Sequence, residues 1–162
     1  MFETHKEISG NETHQGDGSV IDALVDFYKA FNERNLDSLK RNWAEGDLPS
    51  MNNPIGGTRR GWDAISEGYS KLFDGPASVQ VKFYDFTSQG GHDWHLFVGR
   101  EKGWCKTPHR ELEIRFRTTR WFVKIDENWR QLHHHGSIEA PALLADYQRM
   151  VLGAPVEPLL WP

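Results

Sequence analysis

Apolar residues recur every three to four positions in the first half of the chain and every second position in the rest, which predicts helices first and strands after. Val20, Ile21, Leu24, Phe27, Tyr28 and Phe31 mark one face of a helix over 20–33, and Ser19 followed by Asp22 is a capping signature at its start. Asn35 caps a short second helix that carries Leu36, Leu39 and Trp43 on one side, and Gly46 and Pro49 end it. Residues 50–53 read as a short extended piece, and Pro54-Ile55-Gly56-Gly57 as a turn. Trp62, Ile65, Tyr69 and Leu72 define a third helix, with Asp63 and Glu67 toward its start and Lys71 toward its end, as the helix dipole prefers. Gly75-Pro76 stops it.

Beyond that point the period is two. Val79, Val81 and Phe83 alternate, then Tyr84 and Phe86 carry aromatics on the other parity, which predicts a bulge or a strand buried on both faces. Gly90-Gly91 turns the chain into a strand over 92–101, with a break near Lys102-Gly103. The extended run over 110–125 has even apolar parity at Leu112, Ile114 and Phe116 but odd parity at Trp121, Val123 and Ile125. The switch predicts a bulge or bend at residues 117–120. Asp126-Glu127-Asn128 is a turn into a strand from Trp129 to Ser137, and Pro141 suits the N-terminus of a last helix.

At 162 residues the chain fits one domain, drawn over 19–152, with a flexible segment over 1–18 and a tail over 153–162. Leu159, Leu160 and Trp161 in the tail dock on the domain or on another subunit, or else form an exposed apolar end. A hydrophobic share of 38% is low, yet seven Trp, nine Phe and four Tyr supply bulky core material. The formal charge of −4 gives no broad electrostatic case for nucleic acid or an anionic membrane. No apolar run approaches the roughly 20 residues that span a bilayer, and no signal-peptide core opens the chain. The single cysteine, Cys105, excludes an intrachain disulfide and suits a reducing compartment; the expected location is cytoplasmic.

Candidate chemistry gathers on the last hairpin. Strand alternation puts His133, His135 and Ser137 on one side with Trp129 and Gln131, and turns His134 the other way toward a subunit contact. The preceding strand brings Arg117 and Arg120 alongside. Helices followed by long strands indicate an α+β fold, a curved and mostly antiparallel sheet wrapped around the N-terminal helices, leaving a concave hollow. In that hollow His135 would move a proton, and Arg117 or Arg120 would hold a carboxylate or enolate through its planar fork. The competing role for either arginine is an ion pair with Asp85, Glu101 or Glu113. Tyr28, Trp43, Trp62, Tyr69 and Phe83 are either pocket lining or ordinary core. His133-x-His135-x-x-x-Glu139 has the spacing of a cupin metal motif, but the flanking glycines are missing and helices precede the strands, so no metal is expected. No cofactor motif is found, and Cys105 reads as an incidental thiol.

Over residues 19–152 the chain resembles the nuclear transport factor 2-like superfamily of cystatin-like α+β cones, which includes ketosteroid isomerase and the SnoaL-like polyketide cyclases. The resemblance rests on Phe27-Tyr28-Lys29-Ala30-Phe31-Asn32, on Leu36-Asp37-Ser38-Leu39 and on Gly61-Trp62-Asp63-Ala64-Ile65. Its strongest part is Thr119-Arg120, Trp129-Arg130 and His133-x-His135-x-Ser137, similar to the subgroup with the calcium/calmodulin-dependent kinase II association domain. It implies strands lining a cavity, with the other sheet face against a second subunit in a homodimer. Resemblance to ketosteroid isomerase would let Tyr28 donate to a substrate oxyanion, although the aspartates of that family have no recognisable counterpart here. The resulting expectation is a small-molecule pocket that carries out acid–base isomerisation, cyclisation or dehydration of a partly apolar carbonyl or carboxylate compound. The alternative is a non-catalytic ligand-binding or homo-oligomerisation module.

Overall fold

The computed structural model describes residues 7–16 and 18–155. Leu159, Leu160 and Trp161 lie outside the described residues. The chain forms α1 (Val20–Asn32), α2 (Leu36–Asn42), β1 (Ser50–Asn52), β2 (Thr58–Arg60), α3 (Trp62–Asp74), β3 (Ser78–Gly90), β4 (Trp94–Lys106), β5 (Glu111–Ile125), β6 (Asn128–Ser137) and α4 (Pro141–Leu152). The sheet order is β2-β1-β6-β5-β4-β3. Among the described strands, only the β1–β6 pair is parallel. Helix α1 touches both β3, at one edge, and β6, three strands away. One helix reaches both only if the sheet curls around it. This is the expected α+β cone.

Capping follows the sequence. The Ser19 side chain accepts from the Asp22 N–H, and the Asn35 side chain accepts from the Ser38 N–H. Leu24, Phe27 and Tyr28, spaced three and four apart, bury one stripe of α1. Tyr28 stacks on Phe83, Phe83 on Phe86, and Phe86 and Phe97 continue edge to face toward Phe122. These rings form a continuous aromatic column in the core.

The double parity of β3 is a bulge: its register against β4 shifts between Tyr84 and Thr87, and Asp85 takes φ 46°. Asp126 and Glu127 both have positive φ, which makes the β5–β6 connection a two-residue hairpin of matching twist. Two expectations fail. Strand β4 runs unbroken through Lys102 and Gly103. Gly103 marks a close approach rather than a break, because a Cβ there would collide with the Gln80 carbonyl on β3. The expected bend at residues 117–120 is also absent, since β4 and β5 stay in register from Trp94↔Val123 to Lys106↔Glu111. The irregularity sits on the partner strand. Trp121 pairs with His133 and Phe122 with Gln131, so Leu132 is the extra residue of a bulge in β6.

The segment before α1 takes a place that no periodicity announced. Ile8 is buried and exchanges both backbone hydrogen bonds with Phe83, covering part of the free edge of β3. Asn32 fastens it there, donating to the carbonyls of Ser9 and Val81 while accepting from the Val81 N–H.

Candidate functional site

The bulge at Leu132 decides which side chains enter the cone. Without it, Gln131 and His134 would lie on opposite faces; with one residue set aside, both point inward. His134 is therefore the buried imidazole, while His133, His135 and Ser137 lie on the outer face. The expected inward His135 is exposed there, near Arg117 and Ser137. Its ring approaches Asn52 of β1, and His133 Nδ1 lies 2.7 Å from Ser50 Oγ. Arg117 also faces out and pairs with Glu139 at 3.4 Å. Arg120 alone of the two arginines is inside, because β5 keeps even residues inward throughout its middle.

Arg120 is 2% exposed, and each nitrogen of its guanidinium donates one hydrogen bond, which leaves one N–H on each terminal nitrogen. Nε donates to the Tyr28 hydroxyl at 3.0 Å, one terminal nitrogen to Gln131 Oε1 at 2.6 Å, and the other to Glu101 Oε1 at 2.8 Å. Its plane lies over the Phe27 ring, 3.7 Å from the centroid. Tyr28 donates its own proton to Glu101 Oε1 at 2.6 Å. Burial pulls the Arg120 pKa down, but Tyr28, Glu101 and Tyr69 overcome that and hold it above the ordinary arginine value. Burial, helped by Glu101, raises the Tyr28 hydroxyl well above the usual phenol. The ion pair foreseen between an arginine and Glu101 is thus present, and Tyr28 has no proton left for a substrate oxyanion.

Beside this network a hollow opens, lined by apolar groups that include Phe27, Phe31, Met51, Leu72 and Phe116, and by Arg120, Glu101, Tyr69 and His134. Its water-reachable interior is about 60 Å³. At the roughly 30 Å³ that a water takes in the liquid, that is room for about two waters or one very small organic molecule. Helix α4 packs beside the hollow and contributes Tyr147 to its lining. Tyr147 packs edge to face on Phe116, Gln148 donates to the Pro54 carbonyl, and Asp146 pairs with Arg110 at 3.0 Å.

His134 supplies the reactive nitrogen. Its Nδ1 lies 3.3 Å from the Thr119 carbonyl, which can only accept, so Nδ1 carries the hydrogen. That leaves Nε2 as a lone-pair acceptor, with no hydrogen bond among the described residues. The ring lies against Gly136, where a Cβ would press on Nε2 at 3.1 Å. Burial first, then the Arg120 charge, hold the His134 pKa well below the usual imidazole value. The result is a neutral base beside a fixed cation.

Tyr69 lines the hollow, and burial raises its pKa although Arg120 and Trp43 oppose the shift. Trp43 and Phe83 are fully buried behind it as core, and Trp62 is half-buried against that core, away from the hollow. Gln131 Nε2 has no acceptor among the described residues. The Cys105 thiol is buried and pushed up to about 11, so it is a poor nucleophile at neutral pH. No group of three or more metal-ligating side chains occurs among the described residues.

Sequence periodicity missed His134, Glu101 and Gln131. Glu101 was legible only as one of three partners for an arginine, and Gln131 was placed on the face with His135. A single uncounted bulge residue accounts for the error on β6.

The SnoaL-like domain family matches residues 20–141, and a comparison with curated proteins finds no match. Among solved structures, the chain is similar to a candidate calcium/calmodulin-dependent protein kinase type II association domain from Thiobacillus denitrificans, with 22% identity and TM-score 0.61, covering 75% of this chain and 96% of that one. A ketosteroid isomerase-like protein from Erwinia carotovora atroseptica has 14% identity and TM-score 0.65 over 80% of this chain and 100% of its own. A candidate dehydratase of the nuclear transport factor 2-like family from Streptomyces avermitilis has 17% identity and TM-score 0.66 over 73% and 91%. With the family match running from the first helix to the start of α4, and with cone folds of this superfamily around it, the chain belongs to the SnoaL-like domain family.

Proposed function

We propose that the chain is a small-molecule acid–base protein that isomerises, cyclises or dehydrates a compact, partly apolar carbonyl or carboxylate compound in its cone. The observation that carries this reading is His134: a neutral imidazole lining the hollow, with Nε2 unprotonated and Arg120 on the neighbouring strand. Nε2 would take a proton from carbon next to the carbonyl, and the imidazolium would return it elsewhere on the substrate. Arg120 and the Tyr69 hydroxyl are the donors available for the negative charge that develops on oxygen. The aromatic walls keep water away, which strengthens both interactions. The similarity to proteins described as ketosteroid isomerase-like and as a candidate dehydratase is consistent with proton transfer at carbon.

The test is hydrogen–deuterium exchange at the α-carbon of small ketones in heavy water, followed by NMR. The wild-type protein accelerates exchange, and His134→Gln lowers the rate about 100-fold or more while leaving the circular dichroism spectrum unchanged. Ketones that bind without any exchange would favour the non-catalytic reading.

A second role rests on the outer sheet face. Trp94 and Val98 of β4 flank the position opposite Trp121 of β5, and these three neighbours are 40–44% exposed. A homodimer through that face is the arrangement this favours. No described helix is long and apolar enough to cross a membrane. The lone buried cysteine fits a cytoplasmic protein.

A further inference from the structure

The sequence left the ligand open between a carbonyl and a carboxylate; the interior charges separate them. We infer that Glu101 makes the hollow selective for neutral carbonyl compounds by cancelling the charge of Arg120. The inference rests on the pocket reading above and names its ligand class.

Two charges line the cavity, and they belong to one ion pair. Glu101 Oε1 accepts from both Arg120 and Tyr28, so it acts as a carboxylate, and both members of the pair are less than a tenth exposed. The other side chain of the polar end that could carry positive charge, His134, is held neutral by burial. Tyr69 and Tyr147 keep their protons for the same reason. The polar end therefore has no net charge. An entering carboxylate would meet the Glu101 carboxylate a short way behind the guanidinium, and would leave its hydration without a free cation to replace it. A ketone or amide oxygen asks only for N–H and O–H donors, which Arg120 and Tyr69 supply. Glu101 is thus a specificity residue that acts through Arg120.

Methyl ketones and carboxylates of equal size test this directly: acetone against acetate, and butan-2-one against propionate. Affinities are measured by ligand-observed NMR titration at pH 7.5. Wild-type protein binds each ketone at least about tenfold more tightly than its carboxylate partner, a difference of roughly 1.4 kcal/mol. Glu101→Gln keeps an acceptor for Tyr28 and Arg120 but frees the cation. In that variant the carboxylates bind at least about tenfold more tightly than before and the ketones change by less than about threefold. A wild-type preference for carboxylates overturns the inference, as does an unchanged preference in Glu101→Gln. Should that variant not fold, the wild-type ranking of the two pairs decides the ligand class by itself. Binding of neither series by either protein overturns the pocket reading beneath it, a distinguishable result.

Discussion

At the scale of single residues, the site depends on a histidine that stays neutral. His134 is surrounded by Arg120, Met51, Gly136 and the Thr119 carbonyl, and neither a carboxylate nor open solvent stabilises its charged form. Its pKa is lower in the folded state than in the unfolded chain, where it is near 6.5. Below that value the unfolded chain takes up a proton that the folded site refuses, so stability falls with falling pH. The slope contributed by His134 approaches about 1.4 kcal/mol per pH unit once the unfolded histidine is protonated and the folded one is not. His133, whose pKa is also lowered by burial, adds to the same trend. Urea unfolding between pH 7.5 and 5 should show this loss, and His134→Gln should flatten it by up to that amount per unit. An unchanged slope in the variant would mean that His134 titrates alike in both states.

At the scale of elements, one backbone irregularity separates what the sequence could convey from what it could not. Helix boundaries and caps were legible because Ser19 and Asn35 act within three residues of their own position. The β3 bulge was legible too, since Phe83 and Phe86 declare both parities with large apolar side chains. The β6 bulge was not. Its run Gln131-Leu132-His133-His134-His135 has no apolar alternation to expose the slip, and three imidazoles in a row satisfy either face equally. The odd parity of Trp121, Val123 and Ile125 was misread for a related reason: Trp121 is an outward residue on an unbent strand. Deleting Leu132 tests this assignment. Removing the extra residue makes the β5–β6 register continuous while leaving Gln131 and His134 inward. The shortened protein should fold and retain the depressed His134 pKa by NMR titration, at some expense in thermal stability. A shortened protein in which His134 titrates as a solvated imidazole would contradict the bulge.

At the scale of the whole molecule, the two sheet faces have different work. The inner face holds the Arg120–Glu101 network and the hollow, and the outer face presents Trp94, Leu96 and Val98 of β4 beside Trp121 and Val123 of β5. Of the cluster expected from sequence, Arg120 turns inward, while Arg117, His133, His135 and Ser137 lie on this outer side. Fold class was readable because it follows from element order and period. Which face a residue takes follows from register, and register depends on contacts far apart in sequence. If the outer face joins two copies, Trp121→Glu places a charge within the contact and converts the dimer to monomer in sedimentation, with the pocket affinity for ketones retained. A wild-type protein that sediments as a monomer at micromolar concentration would remove that arrangement.

The central claim is that an uncharged imidazole, hydrogen on Nδ1 and lone pair on Nε2, faces the interior beside Arg120. Long-range proton–nitrogen NMR correlation of the histidine rings from pH 8 to pH 5 measures this most directly. His134 should remain the Nδ1–H tautomer and stay neutral well below pH 6.5. An Nε2–H tautomer, or titration at the ordinary imidazole value, would contradict the account.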